Sequence, residues 1–314
     1  MPPGLLGRRV ADTPIAVIDL ATTGLSPGQD RVVELSVVRV DPGQPPRHVL
    51  DSLVKPNRKV TGTEIHGLTD ADVADAPTFA DLAPDLLMAT SGCVVAGYNV
   101  GADMRFLGHE LGQLGILETP PHLCLMYMQP LLGLGERCAL SVACQRLGIP
   151  FSATNHASGD SWAAAQLLQH YFARMHEQGI ATFGDLRERK PYKFLDSLLN
   201  VPPEYSLATG RCSPKRRTMK PQRPGDQRPS PKGYWEALAV AVSDLQITDR
   251  EVAELTEMRR TLQLSDDCMR MLHAKLFAAV LRQFIDDELL DAAEARKLKT
   301  LAECLRRLGW APGD

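Results

Sequence analysis

No C-x-x-C pair occurs among the seven cysteines of this 314-residue chain, at 93, 124, 138, 144, 212, 268 and 304, and their number is odd. Such spacing fits neither a disulfide framework nor a zinc knuckle, so the thiols are expected to be reduced and mostly buried. No window approaches 18 uncharged apolar residues, and the opening MPPGLLGRRVADTP holds no stretch of signal-peptide length. The expectation is a cytoplasmic protein with no membrane partner. A global excess of one charge is also missing, since 35 Lys and Arg stand against 38 Asp and Glu. The basic residues nevertheless crowd into one segment. With 44% hydrophobic residues the chain can bury a full core, and its length suggests two domains.

Residues 14 to about 175 mix strands and helices. IAVIDLA, RVVELSVVRV and HVLDSLVKP are β-rich runs separated by turn residues, which predicts an antiparallel meander. TFADLAPDLLMA has helical spacing, CVVAGYNV is a short buried strand, and ADMRFLGHELGQLG is an amphipathic helix stopped at glycine. LSVACQRLGI and SGDSWAAAQLLQHYFARMHEQG add two helices, giving an α/β layer plan. Asp19 closes the first strand, a position from which a carboxylate serves a metal or a proton. Two residues on, where a second carboxylate would point the same way, stands Ala21.

Residues 211–232 hold eight Lys or Arg against one Asp, with five prolines. They cannot bury a core and read as a flexible basic linker, either a solvated tether or one that also touches nucleic-acid phosphates. Beyond it everything is helical. Thr248 with Glu251, and Asp291 with Glu294, make capping boxes, and Asp244 to Leu262 repeats as Asp287 to Leu305. This small all-α bundle is similar to the TerB-like helical domain. Its Asp244, Asp249, Asp286 and Asp287 read as caps and solvated groups, with a divalent-cation site as the other option.

Four segments occur in order: VIDLATTGLSPGQDRVVEL, KPNRKVTGTEIHGLTDADVADAPTF, VVAGYNVGADMRFLGHEL and CQRLGIPFSATNHASGDSWAAAQLL. Together they resemble the DnaQ-like 3'-to-5' exonucleases of the DEDDh type. The resemblance implies an RNase H-like fold, a mixed sheet flanked by helices, over residues 14–200. The tail 1–13, the linker 201–232 and the bundle 233–314 complete the domain plan. It also implies phosphodiester hydrolysis at nucleic-acid 3' ends, single-stranded ones foremost, by two Mg²⁺ or Mn²⁺ ions about 4 Å apart on clustered carboxylates, with a histidine as base.

Carried over by position, Asp19, Asp103 and Asp160 match metal ligands. Thr22, Thr23, Gly24 and Leu25 match the turn that cradles the terminal nucleotide, and otherwise form a plain tight turn. His66 is a substrate-side or a structural loop residue, and Asn99 is expected to hydrogen-bond locally before Asp103. Ala21 stands where the family has Glu and Asn155 where it has the catalytic His; Tyr98 and Ala102 replace the usual His and Phe. His156 is either a substitute base or a loop residue. Glu34 reads as a strand residue, with an approach to the metals as its alternative. Two functions follow: a metal-dependent exonuclease-family protein of reduced or lost activity, or a catalytically silent nucleic-acid-binding adaptor. Residues 233–314 would then serve a protein partner or self-association, and each half is expected to fold alone.

Overall fold

The computed structural model describes residues 4–117, 119–151, 156–189, 192, 197–198, 232–242, 247–284 and 292–311. Strands β1 (Ile15–Thr22), β2 (Val32–Val40), β3 (Arg47–Leu53), β4 (Val94–Gly97) and β5 (His122–Cys124) form one sheet ordered β3-β2-β1-β4-β5. The first three pair antiparallel, as their alternating runs predict, while β4 and β5 add in parallel on the other side of β1. This is the expected RNase H-like arrangement of a mixed sheet between helices. The strand β5 was not legible from the sequence, because three residues are too short to show a period of two.

Eight helices belong to this region among the described residues: α1 (Thr63–His66), α2 (Asp70–Val73), α3 (Phe79–Thr90), α4 (Val100–Gly112), α5 (Leu125–Leu131), α6 (Leu140–Arg146), α7 (Ala157–Glu177) and α8 (Phe183–Arg189). Side chains alternate faces along a strand. Ile15 and Val17 of β1 therefore pack with Ala163, Ala164, Leu167 and Tyr171 of α7, whereas Ala16 and Ile18 join Leu82 and Leu86 of α3 and Phe106 of α4. Continuing the alternation, Asp19 and Ala21 face α7, the helix that carries Asp160. Covered on both sides, β2 is buried along its whole length, including Glu34, Ser36 and Arg39. Arg39 answers its burial with a bond to Asp41 at 2.7 Å and to the carbonyls of Ala89 and Ser91 at 3.3 Å.

The C-terminal helices α9 (Lys232–Ala241), α10 (Asp249–Thr261), α11 (Asp266–Phe284) and α12 (Ala292–Arg307) share an apolar cluster built on Trp235, Leu238, Leu255, Leu272, Leu301 and Leu305. The box at Thr248 and Glu251 is present. Asp244, Asp286, Asp287 and Asp291, and the linker up to residue 231, lie outside the described residues. Asp249 forms an ion pair with Arg307.

This helical region touches the sheet region directly. Leu25 and Ile65 pack against its cluster, and Val240 of α9 packs among the residues of the α3–α4 layer. Arg146–Glu254 at 3.5 Å and Arg250–Glu136 at 3.8 Å add charge pairs across the contact. Cys93, Cys124, Cys138, Cys144 and Cys304 are buried and in no disulfide, Cys268 is half-buried, and Cys212 falls outside the described residues. Among the described residues no helix is long and apolar enough to cross a membrane.

Candidate active site

At the end of β1 the pairing with β2 shifts register between Ala21 and Thr22, and the chain turns through Thr23, Gly24 and Leu25. Asp30 folds back under this turn and accepts from the Thr23 hydroxyl at 3.1 Å and the Ser26 N–H at 3.0 Å. The Thr22 hydroxyl donates to the Gly24 carbonyl at 2.6 Å, and Thr61 donates to the Thr23 carbonyl at 2.7 Å. Gly24 is required by close approach, since a Cβ there would fall 2.4 Å from Asp30 Oδ2. The turn is thus braced by hydrogen bonds among its own polar groups.

Asp103 lies in the first turn of α4 and Asp160 in the first turn of α7. Asn99 precedes α4 in the left-handed region at φ 64°, without a side-chain cap bond; the turn is held instead by the Ala102 N–H donating to the Asn99 carbonyl at 3.0 Å. The expected local side-chain bond is replaced by a backbone conformation that asparagine tolerates. Asp19, Asp103 and Asp160 line one cavity of about 500 Å³ together with Ala21, Thr22, Thr23, Gly24, Leu25, His66 and Asn99. His156 and Glu34 do not border it.

His156 instead meets Glu34, with Nδ1 3.1 Å from Oε1. Glu34 is directly opposite Ala21 in the β1–β2 register, is 0% exposed, and accepts the Ala157 N–H at 3.0 Å through Oε2. A strand carboxylate therefore sits at the positive end of α7, where the helix dipole favours negative charge. That engagement explains why the carboxylate facing Ala21 does not enter the cavity. Asn155 lies outside the described residues. Beside the pair, burial and the Glu34 charge push the Asp51 carboxyl up to about 6, with His156 opposing.

His66 is 3% exposed; its Nδ1 accepts the Leu68 N–H at 3.1 Å and its Nε2 lies 3.0 Å from the Thr61 carbonyl. Both ring nitrogens serve the loop, so the ring is a wall of the cavity. Tyr98, standing where the resemblance places a histidine, donates to the Cys138 carbonyl at 2.5 Å and accepts from Gln129 at 2.7 Å. Burial pushes its hydroxyl far up, so it stays neutral.

Asp19, Asp103 and Asp160 are hard oxygen donors, the type that Mg²⁺ and Mn²⁺ select. Among the described residues no three His, Cys, Asp or Glu side chains are gathered closely enough to hold an ion by themselves. Their chemistry still fits Mg²⁺, which takes one or two carboxylates and completes its shell with water and substrate phosphates. Among the lining residues that sequence reading did not single out are Arg58 and Arg105, both exposed cations, and Trp235 and Val240 of α9. Arg58 lies 3.6 Å from Asp30. Nothing in the sequence marked Trp235, because an aromatic at the start of an amphipathic helix reads as core of its own bundle.

Residues 16–168 match the exonuclease family model RNase_T. The chain is similar to a DNA polymerase III subunit epsilon-like protein of Rhodobacter capsulatus, 32% identical over 57% of this chain and 28% of that protein. A DNA polymerase III PolC-type protein of Thermotoga maritima is 23% identical over 57% of this chain and 13% of its own length. A DNA polymerase III subunit epsilon of Pasteurella multocida is 26% identical over 42% of this chain and 57% of its own. The chain thus spans less than two thirds of each.

Proposed function

We propose, from the premise that residues 16–168 form an RNase T/DnaQ-like exonuclease domain homologous to DNA polymerase III epsilon subunits, that the chain binds nucleic-acid 3' ends in the Asp19–Asp103–Asp160 cavity and hydrolyses them slowly or not at all. The observation that carries this reading is Ala21. Its methyl lines the cavity two residues after Asp19, is 4% exposed, and offers no donor. Glu34 does not compensate, because both of its oxygens are engaged at the start of α7.

Mg²⁺ or Mn²⁺, taken up by one or two of Asp19, Asp103 and Asp160 together with water and substrate phosphate, would supply charge neutralisation at the phosphate and an acidified water. The chain's own contributions are binding and positioning. The Thr22–Leu25 turn presents backbone groups and an apolar wedge to the terminal nucleotide. Arg58 and Arg105 supply positive charge to a phosphodiester strand. His156, held by Glu34 outside the cavity wall, fixes the start of the helix that delivers Asp160. The rival reading, recruitment without chemistry, is favoured by the same Ala21 and differs only in whether any cleavage survives.

Fluorescence anisotropy with a labelled single strand bearing a free 3' end, against a circular single strand of equal length, tests the site. The comparison is run with Mg²⁺ at salt high enough to screen the basic segment. The linear strand should bind at least tenfold more tightly, and Asp103→Asn should abolish the difference. Equal binding of the circle would overturn the assignment.

A further inference from the structure

We propose that Trp235, delivered by α9 of the helical region, is the platform on which the base of the terminal nucleotide stacks, so that the site is a composite of the two regions. This rests on the 3'-end reading above and adds the surface that receives the base. Trp235 is 8% exposed and forms part of the cavity wall. It belongs to the same apolar cluster that Leu25 and Ile65 pack against from the turn and from α1. Val240, on the same helix, packs with the α3–α4 layer and also borders the cavity. The helix therefore spans the cavity as a roof, seated on the sheet region near both ends and steadied by the Arg146–Glu254 and Arg250–Glu136 pairs of its neighbour α10.

The roof leaves about 500 Å³ beneath it, within the range of sites that enclose a small organic ligand, so it covers the cavity without filling it. The lining combines two chemistries. Asp19, Asp103 and Asp160, from β1, α4 and α7, are hard anionic donors suited to a divalent ion that binds phosphate, and Trp235, Leu25 and Ile65 are apolar. A ligand that carries both a phosphate and a planar ring is a nucleotide. Every base has a π-face, so stacking on an indole gives affinity with little sequence preference. A paired terminal base must leave its partner to enter a roofed space, which adds an unpairing cost to duplex ends.

The test is equilibrium binding of 5'-labelled dT10, dA10 and dC10, each with a free 3' end, to the full chain in Mg²⁺. Trp235→Leu keeps an apolar residue under the bundle, Trp235→Phe keeps an aromatic face, and thermal unfolding checks that both stay folded. Trp235→Leu should weaken all three strands by roughly fivefold or more, the lower end of what one stacked base contributes, while Trp235→Phe stays within about twofold of the parent. Unchanged or tighter binding by Trp235→Leu would overturn the platform, tighter binding marking α9 as an obstruction. Asp103→Asn separates the two readings. If it abolishes 3'-end binding while Trp235→Leu does nothing, the platform fails and the 3'-end site stands; if neither variant changes affinity, both fail. A folded parent that binds none of the strands also overturns both.

Discussion

Ala21 and Glu34 face each other across two strands, one a methyl and the other a carboxylate. Glu34 accepts from the backbone N–H of Ala157 and meets His156. The same buried polar layer contains Ser36, 2.8 Å from Ser161, and Asp51, whose Oδ1 is buried without a hydrogen-bond partner. Asp51 titrates at about 6 against an ordinary 3.8, because burial and the Glu34 charge disfavour its ionised form, while His156 works the other way. A carboxyl whose folded value is raised contributes stability below its unfolded value and loses that contribution as pH rises through about 6. Asp51→Asn removes the loss. It should gain about 1 kcal/mol at pH 7.5, after a discount for partial exposure, and nothing near pH 4. Urea unfolding at the two pH values checks this; an equal effect at both would contradict it.

The elements differ in how far local sequence determines them. β1 to β3 were legible because each alternates or runs apolar between Gly, Pro and Asp turns, and α10 because Thr248 and Glu251 announce its start. There the Glu251 carboxylate accepts the Thr248 N–H at 2.8 Å and the Thr248 hydroxyl accepts the Glu251 N–H at 3.2 Å. Thr248→Ala should cost about 1 kcal/mol of unfolding free energy in denaturant titration. A change below the error of that titration would mean that tertiary packing, not the cap, holds α10. Other features depend on contacts remote in sequence and left no local mark. The tie from Glu34 to α7 joins residues more than a hundred positions apart. Trp235 looks like bundle core until the fold brings Leu25 and Ile65 against the same cluster. Ala21, by contrast, was visible in the sequence, because it stands two residues after the strand-end Asp19 with no carboxylate of its own.

At the scale of the whole molecule, a five-stranded mixed sheet and its helices position three carboxylates and a hydrogen-bonded turn, and a helical region adds Trp235 and Val240 to the wall of the same cavity. Between the two regions the sequence runs through residues 211–232, eight of them Lys or Arg, which we propose add affinity through phosphates alone. Deleting 211–231 should flatten the slope of log affinity against log salt, and an unchanged slope would leave the segment a tether. The central claim is that the fold retains a 3'-end site whose chemistry is weakened by the carboxylate missing at Ala21. Its most direct test is cleavage of end-labelled single-stranded DNA and RNA in Mg²⁺ and in Mn²⁺ by the parent chain and by Ala21→Glu, with thermal unfolding confirming that the buried carboxylate is tolerated. The account predicts that Ala21→Glu cuts at least tenfold faster, about 1.4 kcal/mol of barrier, from the 3' end. A folded Ala21→Glu no faster than the parent would contradict it.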